Sequence, residues 1–88
     1  MYTVYVLRSL KRKYLYVGLT ADLARRVQEH QGGSERTTRP YRPFDLFLSE
    51  EFSTRREARK REKYLKSGHG KEWLKRRAQV AELVDAPA

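Results

Sequence analysis

The chain contains no cysteine, which excludes disulfides and any thiolate metal site. No stretch approaches the ~20 apolar residues of a membrane span, and no secretory leader pattern is present. The expected location is therefore the cytoplasm, with no membrane role. There is no internal repeat, no low-complexity tract and no asparagine. Acid is scarce beside base. Residues 1–77 hold all 20 lysines and arginines against nine acids, a formal +11, and residues 78–88 hold only Glu82 and Asp85. A small domain of pI ≈ 10.2 is expected to meet a polyanion, with nucleic acid ahead of an acidic membrane surface. The bases are spread over predicted helices and loops, which favours a folded basic surface over a disordered arm.

An 88-residue chain suffices for one domain with one small core. A fold of this size buries roughly 60–65% of its unfolded surface, so its stability is modest. One domain over residues 1–84 is expected, with 85–88 a frayed end.

Two short runs, Tyr2 to Leu7 and Tyr14 to Leu19, are rich in Val, Tyr and Leu and flank a basic break at Lys11-Arg12-Lys13. They read as a hairpin, although the loop has no glycine to fix its turn type. Pairing Tyr5 with Tyr16 puts Val4 opposite Val17 and Val6 opposite Leu15 on one apolar face. The other face then holds the two phenols, with Thr3 opposite Gly18. A slip of one residue would scramble both faces, and the glycine beside the tyrosines leaves room for a ligand. Paired strand tyrosines are more often packing than function; the rest of the chain changes that balance.

A first helix is predicted from Ala21 to Gln31, capped by Thr20 or Asp22 and ended by Gly32-Gly33. Leu23 and Val27 form its apolar stripe, and Arg26 and His30 share a neighbouring face. The plain reading of Arg26 is a surface ion pair with Asp22, and that of His30 a favourable end charge. Gly32 to Pro43 reads as a loop kept extended by two prolines. There Arg36, Arg39 and Arg42 interleave with Tyr41 as a phosphate-and-base strip, a reading weighed equally against an ordinary solvated loop.

Phe44 to Phe52 reads as a third strand, with Phe44, Leu46 and Leu48 pointing one way. Thr54-Arg55-Arg56-Glu57 fits a capping box that starts a second helix running to about Ser67 and stopped by Gly68. Its inner line is Ala58, Glu62, Leu65. A carboxylate there costs several kcal/mol unless it is paired or binds metal. A salt bridge to Lys66 or an arginine competes evenly with a functional role. Gly68-His69-Gly70 reads as a tight linker before a third helix, Lys71 to Leu83, on which Trp73 serves as core or lid. The expected fold class is α+β, a three-stranded mostly antiparallel sheet flanked by three helices.

Thr3-Val4-Tyr5, Tyr16-Val17-Gly18, the run Asp22 to His30, the segment Arg39 to Phe44 and the run Ala58 to Gly68 together resemble the GIY-YIG nuclease family, in particular its small single-domain bacterial members. The match covers residues 2–77. Each tripeptide alone is a weak signal; their ordered set is specific. Thr3 replaces the family's glycine, and the asparagine many relatives carry near the end of the site has no counterpart.

The resemblance implies a metal-dependent DNA endonuclease with a DNA-repair setting. Mg²⁺ or Mn²⁺ would be held by Glu62, because Mg²⁺ keeps several waters and takes one or two protein carboxylates. Arg26 would bind the phosphate. Tyr5 would be the general base beside Tyr16, the two able to exchange roles, with a phenol pKa lowered by arginine and metal. His30 would tune the proton transfer. Gly18, Arg36, Arg39, Tyr41, Arg42 and Lys66 would contact nucleic acid, with single-stranded or branched DNA preferred over duplex. A protein partner for targeting and a monomeric or weakly dimeric state complete the expectation. The competing function is a non-catalytic nucleic-acid-binding module that keeps the fold.

Overall fold

The computed structural model describes the backbone of residues 1–85 and the side chains of residues 1–78. The elements follow in the order β1 (Tyr2–Ser9), β2 (Leu15–Thr20), α1 (Leu23–Gly32), a 3₁₀ turn (Arg39–Tyr41), β3 (Phe44–Phe52), α2 (Arg55–Lys66) and α3 (Gly68–Asp85). The sheet is antiparallel throughout, in the order β2-β1-β3, so the expected α+β class holds. No helix among the described residues is long and apolar enough to cross a membrane.

The hairpin register differs from the expected one by two residues. Tyr5 pairs with Gly18, Leu7 with Tyr16 and Val6 with Val17. A two-residue slip preserves each face, because side chains alternate with a period of two. The apolar face therefore survives intact. Val4, Val6 and Val17 pack against Ala58, Leu65 and Leu74 of the two C-terminal helices. The opposite face gathers Tyr5, Leu7 and Phe44 under Leu23 and Val27 of α1. The register is set by the turn, where Ser9 N–H bonds the Tyr14 carbonyl and the Ser9 hydroxyl accepts from the amides of Lys11 and Arg12. A serine-built turn of this kind is not legible without a glycine signature.

β3 matches its predicted span, but its alternation breaks. The register shifts between Val6 and Leu7, which pair with Leu48 and Leu46. The residue between, Phe47, is the extra one of a β-bulge. Phe44 and Leu46 thus lie on the Tyr5 face, while Leu48 and Phe52 cross to the valine core. The expectation that Leu48 shares a face with Phe44 is corrected accordingly, and Leu46 is left 44% exposed.

The helix ends follow local chemistry. Asp22 caps α1 by accepting from Arg25 N–H, and Gly33 closes it at φ 81°, a conformation glycine adopts without strain. Thr54 caps α2 by accepting from Glu57 N–H. Its hydroxyl also donates to the Glu57 carboxylate at 3.0 Å. The predicted linker Gly68-His69-Gly70 is instead the first turn of α3. Ser67 joins the two helices alone, its hydroxyl accepting from Gly70 N–H and its carbonyl from Lys71 N–H. Gly70 is glycine for packing, not for turning: a Cβ there would lie 2.6 Å from Leu65 Cα and would overlap the Tyr64 carbonyl oxygen. Trp73 lies half-buried between the guanidinium groups of Arg61 and Arg77, 5.0 and 4.8 Å from its ring. The side chains of the third helix beyond residue 78 lie outside the described ones, and 86–88 of the expected frayed end lie outside the described residues.

Candidate active site

Tyr5 lies on the central strand, 1% exposed. The partner residue on β2 is Gly18, and the space a Cβ would fill there is taken by the Tyr5 ring, with Cζ 2.5 Å from it. The glycine therefore makes room for the tyrosine, not for a ligand. Tyr16 is diagonal to Tyr5, with ring centroids 6.2 Å apart, and is partly exposed where Tyr5 is not.

His30, in the last turn of α1, is fully buried. Its Nε2 lies 3.0 Å from the Tyr5 hydroxyl and its Nδ1 2.9 Å from the Thr38 hydroxyl. Its ring is 4.8 Å from that of Tyr16. It is a core member of the site, not an end charge. Burial first, and the Arg26 guanidinium second, hold His30 below the ordinary imidazole range. A neutral imidazole has one donor and one acceptor nitrogen. Donation from the Tyr5 phenol to Nε2 and from Nδ1–H to Thr38 satisfies all three groups.

Burial, then the proximity of Tyr16, pushes the Tyr5 pKa up to about 12. Arg26 pulls the other way and loses. Arg26 alone therefore does not supply the expected lowering: with the hydroxyl out of water, desolvation outweighs one nearby cation. A consequence can be measured. The depressed His30 pKa means that the unfolded chain binds more protons in the acid range. Its contribution to stability is complete above the ordinary imidazole value of 6.5 and is lost as pH falls through the lower folded value. Thermal melts between roughly pH 6.5 and pH 5 should show falling stability in the wild type and a flatter profile in His30→Gln. Parallel profiles would contradict the assignment.

Arg26 extends from α1 over Tyr5. Its Nη1 donates to Glu29 and its Nη2 to Glu35, both at 2.9 Å. The expected partner Asp22 is occupied as the helix cap. Two carboxylates thus fix the guanidinium plane, and a fork with five N–H donors retains donors for an incoming oxyanion. Glu29, Glu35 and Thr38 were not singled out in the sequence. Glu29 was legible by its spacing from Arg26, whereas Glu35 and Thr38 sit in the loop, where no periodicity points at them.

Tyr5, Tyr16, Arg26 and His30 are therefore brought together. Glu62 is not among them. It is buried at 6% exposure in the inner line of α2, with Ala58 and Leu65, on the sheet face opposite Tyr5. Its oxygens accept from Arg59 at 2.8 Å and Lys66 at 3.1 Å. Both partners are more than half exposed, so each can swing aside. No cluster of three or more His, Cys, Asp or Glu that could hold a metal occurs among the described residues. A lone carboxylate still suits an ion that takes its remaining ligands from water and substrate oxygens.

The expected contact strip is altered. Pro40 lies within the 3₁₀ turn, so the loop is not extended throughout. Tyr41 stacks on Tyr14 at 3.7 Å and 6°, and Arg12 stands 5.8 Å from its ring centroid. Arg39 Nε donates to the Gly33 carbonyl and Arg42 Nε to the Arg39 carbonyl. These contacts brace the loop, and Arg36, Arg39 and Arg42 are all exposed.

The family model described as the GIY-YIG catalytic domain matches residues 1–77. UPF0213 protein YazA of Bacillus subtilis (strain 168) is 44% identical over 52 residues, which are 58% of this chain and 52% of that protein. The chain thus spans about half the length of the curated relative it matches. No solved structure matches.

Proposed function

Because the chain belongs to the GIY-YIG catalytic-domain family, we propose that it is an endonuclease hydrolysing phosphodiester bonds in DNA, with single-stranded or branched DNA preferred. The observation that carries this reading is the convergence of two phenols, a neutral imidazole and a carboxylate-braced guanidinium in one cluster. Water is the nucleophile. Tyr16 is the more accessible phenol and stands as the group that orients or deprotonates it. Tyr5 stands behind, its hydroxyl on His30, so a proton arriving at the tyrosine pair has a neutral imidazole to receive it. Arg26 offers N–H donors to the phosphate oxygens as charge builds. Glu62 would hold Mg²⁺ or Mn²⁺, which when bound supplies charge stabilisation at the phosphate and the leaving oxygen. β2 is an edge strand, so a phosphodiester laid over that edge is approached from both faces of the sheet. A cytoplasmic site of action belongs to the same proposal.

A second reading has an observation of its own. Arg26 and Glu62 are each already neutralised by protein partners, as a non-catalytic DNA-binding module would have them. Incubating labelled single-stranded and forked DNA with Mg²⁺ or EDTA separates the two. Cleavage that needs the metal and falls at least ~10²-fold in Tyr16→Phe and in Glu62→Gln is the expected result. Binding without cleavage on every strand supports the module.

A further inference from the structure

A cleft of about 670 Å³ lies between the β1–β2 turn and the α2–α3 junction, with Tyr16 on its wall. Lys13, Lys66, Lys71 and Lys75 stand around it, with Arg8 and Arg12, and no acid lines it. Lys13, Lys71 and Lys75 are exposed and take part in no ion pair among the described residues. Beneath them the apolar lining that solvent reaches is Leu15 with the partly exposed Tyr14 and Tyr16, beside the buried Val17, Leu65 and Leu74. This combination is specific. A purely electrostatic patch for a duplex backbone needs no hydrophobic floor. A floor that can take a planar ring, under lysines that can take phosphates, fits an unpaired nucleotide. A base inside a duplex shows only its edge.

We propose that this cleft holds an unpaired nucleotide of a single DNA strand, its base against Leu15 and Tyr16 and its flanking phosphates on Lys71 and Lys75. The proposal rests on the endonuclease reading and names its substrate. The strand occupying the cleft passes Tyr16, which lines the wall and also touches His30. The cleft thus feeds the phenol cluster with single-stranded, not paired, DNA.

The test measures binding of a fluorescein-labelled short oligothymidylate in EDTA, where cleavage is suppressed. Lys71→Gln combined with Lys75→Gln is compared with Lys60→Gln combined with Lys63→Gln. The second pair removes the same charge from exposed positions outside the cleft. The cleft pair should lose affinity by about tenfold and flatten the salt dependence by about 1.4 in log–log slope, as two lost phosphate contacts on a single strand require. The control pair should lose less than about threefold. An abasic strand of equal length should bind wild type several-fold more weakly. Equal losses in the two pairs, or equal affinity for the abasic strand, would overturn the proposal. Cleavage is assayed separately. If no strand is cut while the contrast between the pairs stands, the endonuclease reading falls and the cleft stands. If cleavage is normal and the contrast is absent, the cleft falls alone.

Discussion

Replacing Arg26 by alanine is expected to lower the rate of metal-dependent DNA cleavage by roughly 10²–10³-fold, the range for removing one well-placed donor to a developing oxyanion. The loss should appear in the rate at saturating strand, with strand affinity changed far less. Arg26→Lys should recover little of it. The guanidinium is held flat by Glu29 and Glu35 at 2.9 Å each, and an ammonium offers no second arm to a phosphate while pairing with both carboxylates. The fold should tolerate the change, because Arg26 is 29% exposed and sits on the outer side of the Tyr5 cluster. A single-turnover assay paired with a thermal melt checks both halves. A fall in rate under about tenfold, or a loss that tracks unfolding, would remove Arg26 from the chemistry.

The second large effect concerns stability. Gly70→Ala inserts a methyl group where α3 crosses the end of α2, against the Tyr64 carbonyl and Leu65 Cα. Those atoms are backbone, so no side chain can swing aside and the helices must part. Overpacking of this kind costs about 2–3 kcal/mol, a fall in Tm on the order of 10 °C or more for a domain this small. Gly68→Ala is the control. Nothing lies within 4 Å of a Cβ at Gly68, and alanine is the better helix residue, so that variant should melt at or above wild type. Equal melting temperatures for the two variants would show that the helix crossing relaxes freely.

The contrast between these two glycines shows where the sequence was readable. Glycine reads as punctuation, and Gly68-His69-Gly70 reads as a break; only the third dimension reveals that α3 begins at Gly68 and that Gly70 is there to be overlain. The strands, by contrast, announced themselves through alternation, and a two-residue register error left both hairpin faces correct because the period is two. The β3 bulge at Phe47 was invisible, since an extra residue carries no composition signal. Glu62 was legible as an inward-facing acid because an acid in an apolar line is anomalous; it is buried and paired with Arg59 and Lys66. His30 and Arg26 were legible as neighbours on one helix face. Their partners Thr38 and Glu35 were not, because they reach the site along a loop. The weight of burial on the Tyr5 hydroxyl was hidden for the same reason. Its direction depends on how completely the hydroxyl leaves water, and burial of a strand tyrosine is decided by α1 lying over it.

Among the described residues, β1 is the only strand with a neighbour on each side. Along it, Val4 and Val6 face the valine core while Tyr5 between them faces the phenol cluster. Successive codons of this strand thus answer to two different demands, cohesion on one side and reactivity on the other. A substitution on one face is felt through a single thickness of backbone on the other, so the core and the phenol cluster depend on the same few residues.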